Sequence, residues 1–332
     1  MSMSPKENLL NLSANGPQGP LLVEWEAFTG IFNDPVNQYL RAHRQEGQTT
    51  TDLFGTQFHW PEGQISATPH ITKDNKAMPD ITKWRETLKV PDLRANAVDW
   101  TEARAAKAAI DAEGQKLSFV LMATGLFEQL HFLMGFEDTL MNLIRKPKDI
   151  MELCEVLGEY RLTFAKLIVE NLKPDVILSH DDWGTKTQLF MRPEQFRKYI
   201  KPHYMKMYGY FKDNGVIVMH HSDSYAESVV PDMIDMGVDI WQGALPENDI
   251  PAILKNYGKD IVIMGGIDAS IVDRVDSTEE EIRQEVGRAC REYGPLGHFI
   301  PCMTYGGPDS YLFPHAQKFV EDEIRRYNQT GR

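Results

Sequence analysis

Three side chains of metal-ligand type stand far apart in a chain of 332 residues. His221 and Asp223 follow one short apolar run, and Cys302 follows a later one. Imidazole, carboxylate and thiolate all bind zinc, and three protein ligands leave a fourth position for water or a substrate atom. In a His-x-Asp step on extended backbone both side chains fall on the same side. Structural readings stand beside this one. Cys302 also suits a small buried apolar position, and Asp223 suits the cap of the segment starting at Ser224.

Other polar residues occupy equivalent places. Asp181 and Asp182 follow the run Val176–Ser179, where one carboxylate orients a loop or caps a helix and the other is free for acid–base work. His220 competes with His221, since only one of two adjacent strand residues faces a given side. Glu24 and Glu26 flank Trp25 after an early apolar run, as metal ligand, general base or cap. Cys154 and Cys290 lie in helical patterns and read as structural. The chain has no phosphate-binding loop, dinucleotide fingerprint, HExxH helix or nucleophile elbow.

These groups need strands to carry them. Leu21–Val23, Leu117–Met122, Val176–Ser179, Val216–Met219, Asp239–Trp241, Ile261–Met264 and His298–Ile300 are short continuous apolar runs, as buried parallel strands require. Helical patterns fill most of the intervals. Residues 99–113 are rich in Ala, Lys and Glu, residues 149–171 have an apolar face, and Pro193 suits a first helical turn. Ser277 with Glu280 resembles a capping box. The rhythm predicts an α/β fold, a (β/α)8 TIM barrel, in which strand C-termini converge on one mouth. Residues 1–332 read as one barrel domain, with residues 24–98 as an elaborated, aromatic-rich N-terminal cap.

Composition excludes several partners. A net charge of −13 opposes binding to nucleic acid or an anionic membrane surface. No apolar run approaches the length of a membrane span, and the N-terminus lacks a signal-peptide core. Three cysteines do not form an oxidised framework, so a cytoplasmic location is expected.

The segments VILSHDDWGTKTQLFMRPEQFRKYIKPHY, VIVMHHSDSYAESVVPDMIDMGVDIWQG, DIVIMGGIDAS and HFIPCMTYGGPDS, in that order, resemble the uroporphyrinogen decarboxylase superfamily. The resemblance covers about residues 115–325 well and the first hundred residues loosely. Decarboxylases of the superfamily carry an arginine-rich N-terminal segment for an acidic tetrapyrrole, whereas PLLVEWEAFTG has no arginine. The chain looks closer to the corrinoid-dependent methyltransferase branch, whose His-x-Cys segment and later cysteine bind zinc. His221 then takes the histidine position, Cys302 that of the second cysteine, and Asp223 replaces the first cysteine.

This resemblance implies zinc held by His221, Asp223 and Cys302, with Glu24 or Glu26 completing the shell. It implies a methoxylated aromatic substrate and a corrinoid carried by a partner protein as methyl acceptor. Asp181 or Asp182 would orient substrate or water, and Trp25, Trp183, Tyr305 and His220 would line the pocket. Transfer from methyl-corrinoid to a thiol or tetrahydrofolate, a decarboxylase-like activity and a non-catalytic corrinoid-protein-binding barrel stay open as alternatives. Oligomeric state is also open, a homodimer being compatible with the branch.

Overall fold

The computed structural model describes residues 3–41, 44–64, 66–94, 98–308 and 310–331. Strand β1 (Phe28–Gly30) opens the main sheet. Strands β2 (Thr49–Thr51), β3 (Gln57–His59) and β4 (Thr68–Pro69) form a small antiparallel sheet in the cap. Six further strands complete the main sheet: β5 (Leu117–Met122), β6 (Val176–His180), β7 (Ile217–His221), β8 (Ile240–Ala244), β9 (Val262–Gly266) and β10 (Phe299–Cys302). Their order is β1-β5-β6-β7-β8-β9-β10, all parallel. This is an α/β, TIM-barrel-like fold, with seven strands among the described residues and a seam between the edge strands β1 and β10.

Alternation along each strand sorts its side chains into two cores. Phe28, Leu117, Phe119, Leu178, Met219, Ile240, Met264, Ile300 and Cys302 form the inner one, which the helix Pro5–Asn15 joins through Leu9 and Leu12. Val120, Ile177, Val218, Trp241 and Ile263 face the outer helices, including Pro147–Asn171, Lys201–Asp213 and Glu279–Tyr293. The cap rests on these helices through edge-to-face pairs, Phe58 on Phe132 and Phe54 on Tyr160. Among the described residues no helix is long and apolar enough to cross a membrane.

Two local expectations need correction. Leu21–Val23 is not a strand; Leu22 and Val23 are buried, and a turn at residues 24–27 delays the strand to Phe28. Glu24 takes a left-handed conformation there (φ 47°), which its residue type does not announce. The capping box is one residue later than expected, with Thr278 and Glu281 bonding reciprocally.

Candidate active site at the strand ends

The inner-facing alternation continues to the strand ends and places polar residues above the apolar layer. Leu178, Met219 and Ile240 face inward, so His180, His221 and Gln242, each two residues on, do too. Register makes them neighbours: His180 lies opposite His221, and His221 opposite Gln242. A register shift between Gln242 and Ala244 places Gly243 (φ 91°) close beside the His221 ring. A Cβ there would lie 3.0 Å from His221 Nδ1, so glycine permits the approach.

Hydrogen bonds fix the protons. Gln242 Nε2 donates to the carbonyls of Tyr305 (2.9 Å) and Met303 (3.3 Å), which turns its Oε1 toward His221 Nδ1. That oxygen only accepts, so His221 carries its proton on Nδ1 and leaves Nε2 with a lone pair. Burial, helped by the charge of His180, holds the His221 pKa down to about 3 and the ring neutral. Its Nε2 lies 4.0 Å from Asp182 Oδ1.

His180 stacks on His221 with ring centroids 4.5 Å apart. Its Nδ1 meets Glu128 Oε2 at 3.1 Å. Burial works against the imidazolium, but the Glu128 carboxylate overrides it and raises the His180 pKa. Glu128 is held low despite its own burial, because His180 and the Gly125 N–H stabilise its charge. A cation at His180 Nε2 would displace the second proton while the Nδ1–Glu128 bond persisted.

His180, Asp182 and His221 thus offer ligand atoms within 4.8 Å of one another. Two imidazoles with a carboxylate, each imidazole backed by an oxygen acceptor, suit a divalent metal of the zinc or iron type. His221, Asp223 and Cys302 do not form such a group among the described residues. Asp223 is exposed beside the cluster and donates its N–H to Asp182 Oδ1 at 3.1 Å. Cys302 is buried against Glu24 and Gln242, and burial, reinforced by the Glu24 charge, pushes its thiol pKa well up.

Glu24 lies at the seam. Its Oε1 accepts the Met303 N–H at 3.0 Å and its Oε2 accepts the Tyr311 hydroxyl at 2.8 Å. Burial outweighs those bonds and raises its pKa to about 7. Beside it opens a cavity of about 450 Å³, lined by Trp25, Phe28, Phe32, Tyr305 and Tyr311 among others. Glu26 also borders this cavity, but its Oε1 is occupied by the Val23 N–H at 2.8 Å.

The remaining expected residues are elsewhere. Asp181 is fully buried and accepts from the N–H groups of Phe127 (3.0 Å) and Glu128 (2.9 Å), from Trp183 Nε1 (3.0 Å) and from the Tyr204 hydroxyl (2.8 Å). It anchors the first turn of the helix Leu126–Met134 and so positions Glu128. His220 points outward, stacked on Trp183 at 4.1 Å and bonded to the Tyr208 hydroxyl at 2.7 Å. Neither it nor the fully buried Trp183 borders the seam cavity.

Sequence reasoning passed over His180, Glu128 and Gln242 as site residues. A polar Gln242 inside the otherwise apolar run IWQGA was the available signal, because a buried amide needs partners. His180, like His221, ends its strand and sits two residues beyond an inward apolar residue.

None of the curated proteins compared with the chain is similar in sequence. A methyltransferase from Methanosarcina mazei shares the fold, with a TM-score of 0.67 at 15% identity, covering 98% of this chain and 99% of that one. A dihydropteroate synthase from Anaplasma phagocytophilum reaches a TM-score of only 0.37 at 14% identity, over 54% of this chain and 70% of its own. A sugar phosphate isomerase/epimerase from Parabacteroides distasonis reaches 0.30 at 11%, over 73% and 82%, and neither value supports an inference. The uroporphyrinogen decarboxylase (URO-D) family matches residues 49–305, a span that includes His180, Asp182, His221, Gln242 and Cys302. The chain belongs to the URO-D family.

Proposed function

We propose that this protein is a methyltransferase that removes the methyl group of a methoxylated aromatic compound and delivers it to the Co(I) corrinoid of a partner protein, with zinc at the strand ends. One observation carries the reading: two imidazoles, each bonded at Nδ1 to an oxygen acceptor, gather with the Asp182 carboxylate so that one ligand atom of each residue lies within 4.8 Å of the others. Family membership, the fold shared with a methyltransferase and the neighbouring aromatic cavity support it. His180, Asp182 and His221 would hold the ion, which when bound supplies Lewis-acid activation of an ether oxygen.

The chain's own groups do the rest. Trp25, Phe28, Phe32 and Tyr305 offer flat apolar faces to an aromatic ring. Glu24 keeps a proton up to about pH 7 and hands it to the departing phenolate. Gln242 ties the cluster to the cavity wall, since it bonds His221 on one side and the Met303 and Tyr305 carbonyls on the other. Asp223 stands at the rim, where desolvation and then the Asp182 charge raise its pKa to about 7, and Cys302 stays protonated against Glu24.

The test is methylation of a Co(I) corrinoid by zinc-loaded protein, with guaiacol and a non-aromatic methyl ether as donors. Transfer from guaiacol is expected, with loss of both zinc and activity in His221→Ala. Failure of zinc-loaded protein to methylate the corrinoid from any methoxyarene, or CO₂ release from uroporphyrinogen, would overturn the proposal.

A further inference from the structure

Past the end of β5, the cap and the helix Pro147–Asn171 enclose a recess of about 30 Å³. Three arginines border it, Arg41, Arg44 and Arg161. Arg161 is only 5% exposed, and its guanidinium bonds to the Thr124 carbonyl and, at 3.5 Å, to the Ser179 hydroxyl. Neither partner is charged, and among the described residues no carboxylate pairs with it. A guanidinium removed from water without a counter-charge is costly.

The neighbouring groups share this deficit. Arg44 Nε, Gln129 Nε2 and the Tyr160 hydroxyl are buried with no hydrogen-bond partner among the described residues, and all three residues border the recess. Gln129 is 8% exposed, so solvent does not satisfy it. Asp52 is the one carboxylate in the lining, and its Oδ1 is spent on the N–H groups of Phe54 (2.9 Å) and Thr56 (2.8 Å). Burial, followed by the charge of Arg41, pulls the Arg44 pKa down to about 10. The Asp52 charge offsets part of this, but the unpartnered buried donors still outnumber the acceptors in the lining, in a chain whose overall charge is −13.

We propose that this recess binds the carboxylate of a small organic anion, with Arg44, Arg161, Gln129 and Tyr160 as donors. Its volume holds about two water-sized groups, which matches two carboxylate oxygens. Arg41 and Arg44 also border an adjoining cavity of about 560 Å³, where Phe32 and Trp60 provide apolar walls for the body of the molecule. Phe32 in turn borders the seam cavity, so the two spaces meet along one side chain. The site does not depend on methyl transfer and is measured without metal or corrinoid.

The experiment is calorimetric titration of the full chain with benzoate, with benzamide as the uncharged control and inorganic phosphate as the alternative oxyanion. Benzoate is expected to bind, benzamide to bind at least tenfold more weakly, and phosphate not to compete. Arg44→Gln and Gln129→Leu are expected to weaken benzoate at least tenfold each while melting cooperatively. Equal affinity for benzoate and benzamide, unchanged affinity in folded Arg44→Gln, or phosphate displacing benzoate would each overturn the assignment.

Discussion

The imidazole cluster and the seam handle protons in opposite ways. At the ends of β6 and β7, acceptors already in place, the Glu128 carboxylate and the Gln242 amide oxygen, draw protons to Nδ1 of His180 and His221, and His221 Nε2 lies 4.0 Å from Asp182. At the seam, burial favours the neutral forms of Glu24, Cys302 and Tyr311. Under the proposed function one region would take the cation and the other would give the proton. The contrast teaches that neighbouring strand ends acquire different chemistry from their hydrogen-bond partners and desolvation, not from residue type alone.

The largest test removes a ligand. His221→Ala is expected to abolish stoichiometric zinc and lower methyl transfer by at least ~10²-fold, measured by metal analysis and corrinoid absorbance. Next come the acceptors behind the imidazoles. Glu128→Gln is expected to weaken zinc about 10–100-fold with the fold retained, in a competition titration with a chelator. An unchanged affinity would mean that His180 does not ligate.

Glu24 gives a pH test of the other region. Its pKa rises from 4.5 to about 7 on folding, so the folded state binds the extra proton. Stability should therefore fall as pH rises from about 4.5 to 7 and level off beyond, by about 3 kcal/mol for this group alone. Glu24→Gln should flatten that part of the melting-temperature profile and, because an amide cannot hand over the proton, lower methyl transfer below about pH 7 to a level that no longer changes as pH rises through 7. The smallest expected effect distinguishes the two ligand sets. Cys302→Ser should retain zinc within about threefold, because a hydroxyl keeps the contact with Glu24. Loss of zinc would instead restore Cys302 to the metal shell, as expected from the sequence.

Much of the fold was legible because buried parallel strands write themselves as short continuous apolar runs. Six of the seven main strands begin within a residue of such a run. The first was not, because burial of Leu22 and Val23 produces the same pattern without strand pairing. The site was half legible. His221 and Asp182 stood out at strand ends, but which residues meet depends on register, and register sets His180 beside His221. Glu128 lies on a helix, and its carboxylate reaches the site because Asp181 and the Tyr204 hydroxyl anchor the start of that helix.

Gly306 carries a consequence for how this family member can vary. A Cβ at that position would lie 3.3 Å from His221 Nε2 and 3.4 Å from His180 Cδ2. The backbone after β10 therefore lies close over the two rings, and one added methyl would fit only if they yield by a few tenths of an ångström. Variation at this one position therefore acts first on the placement of the two imidazoles.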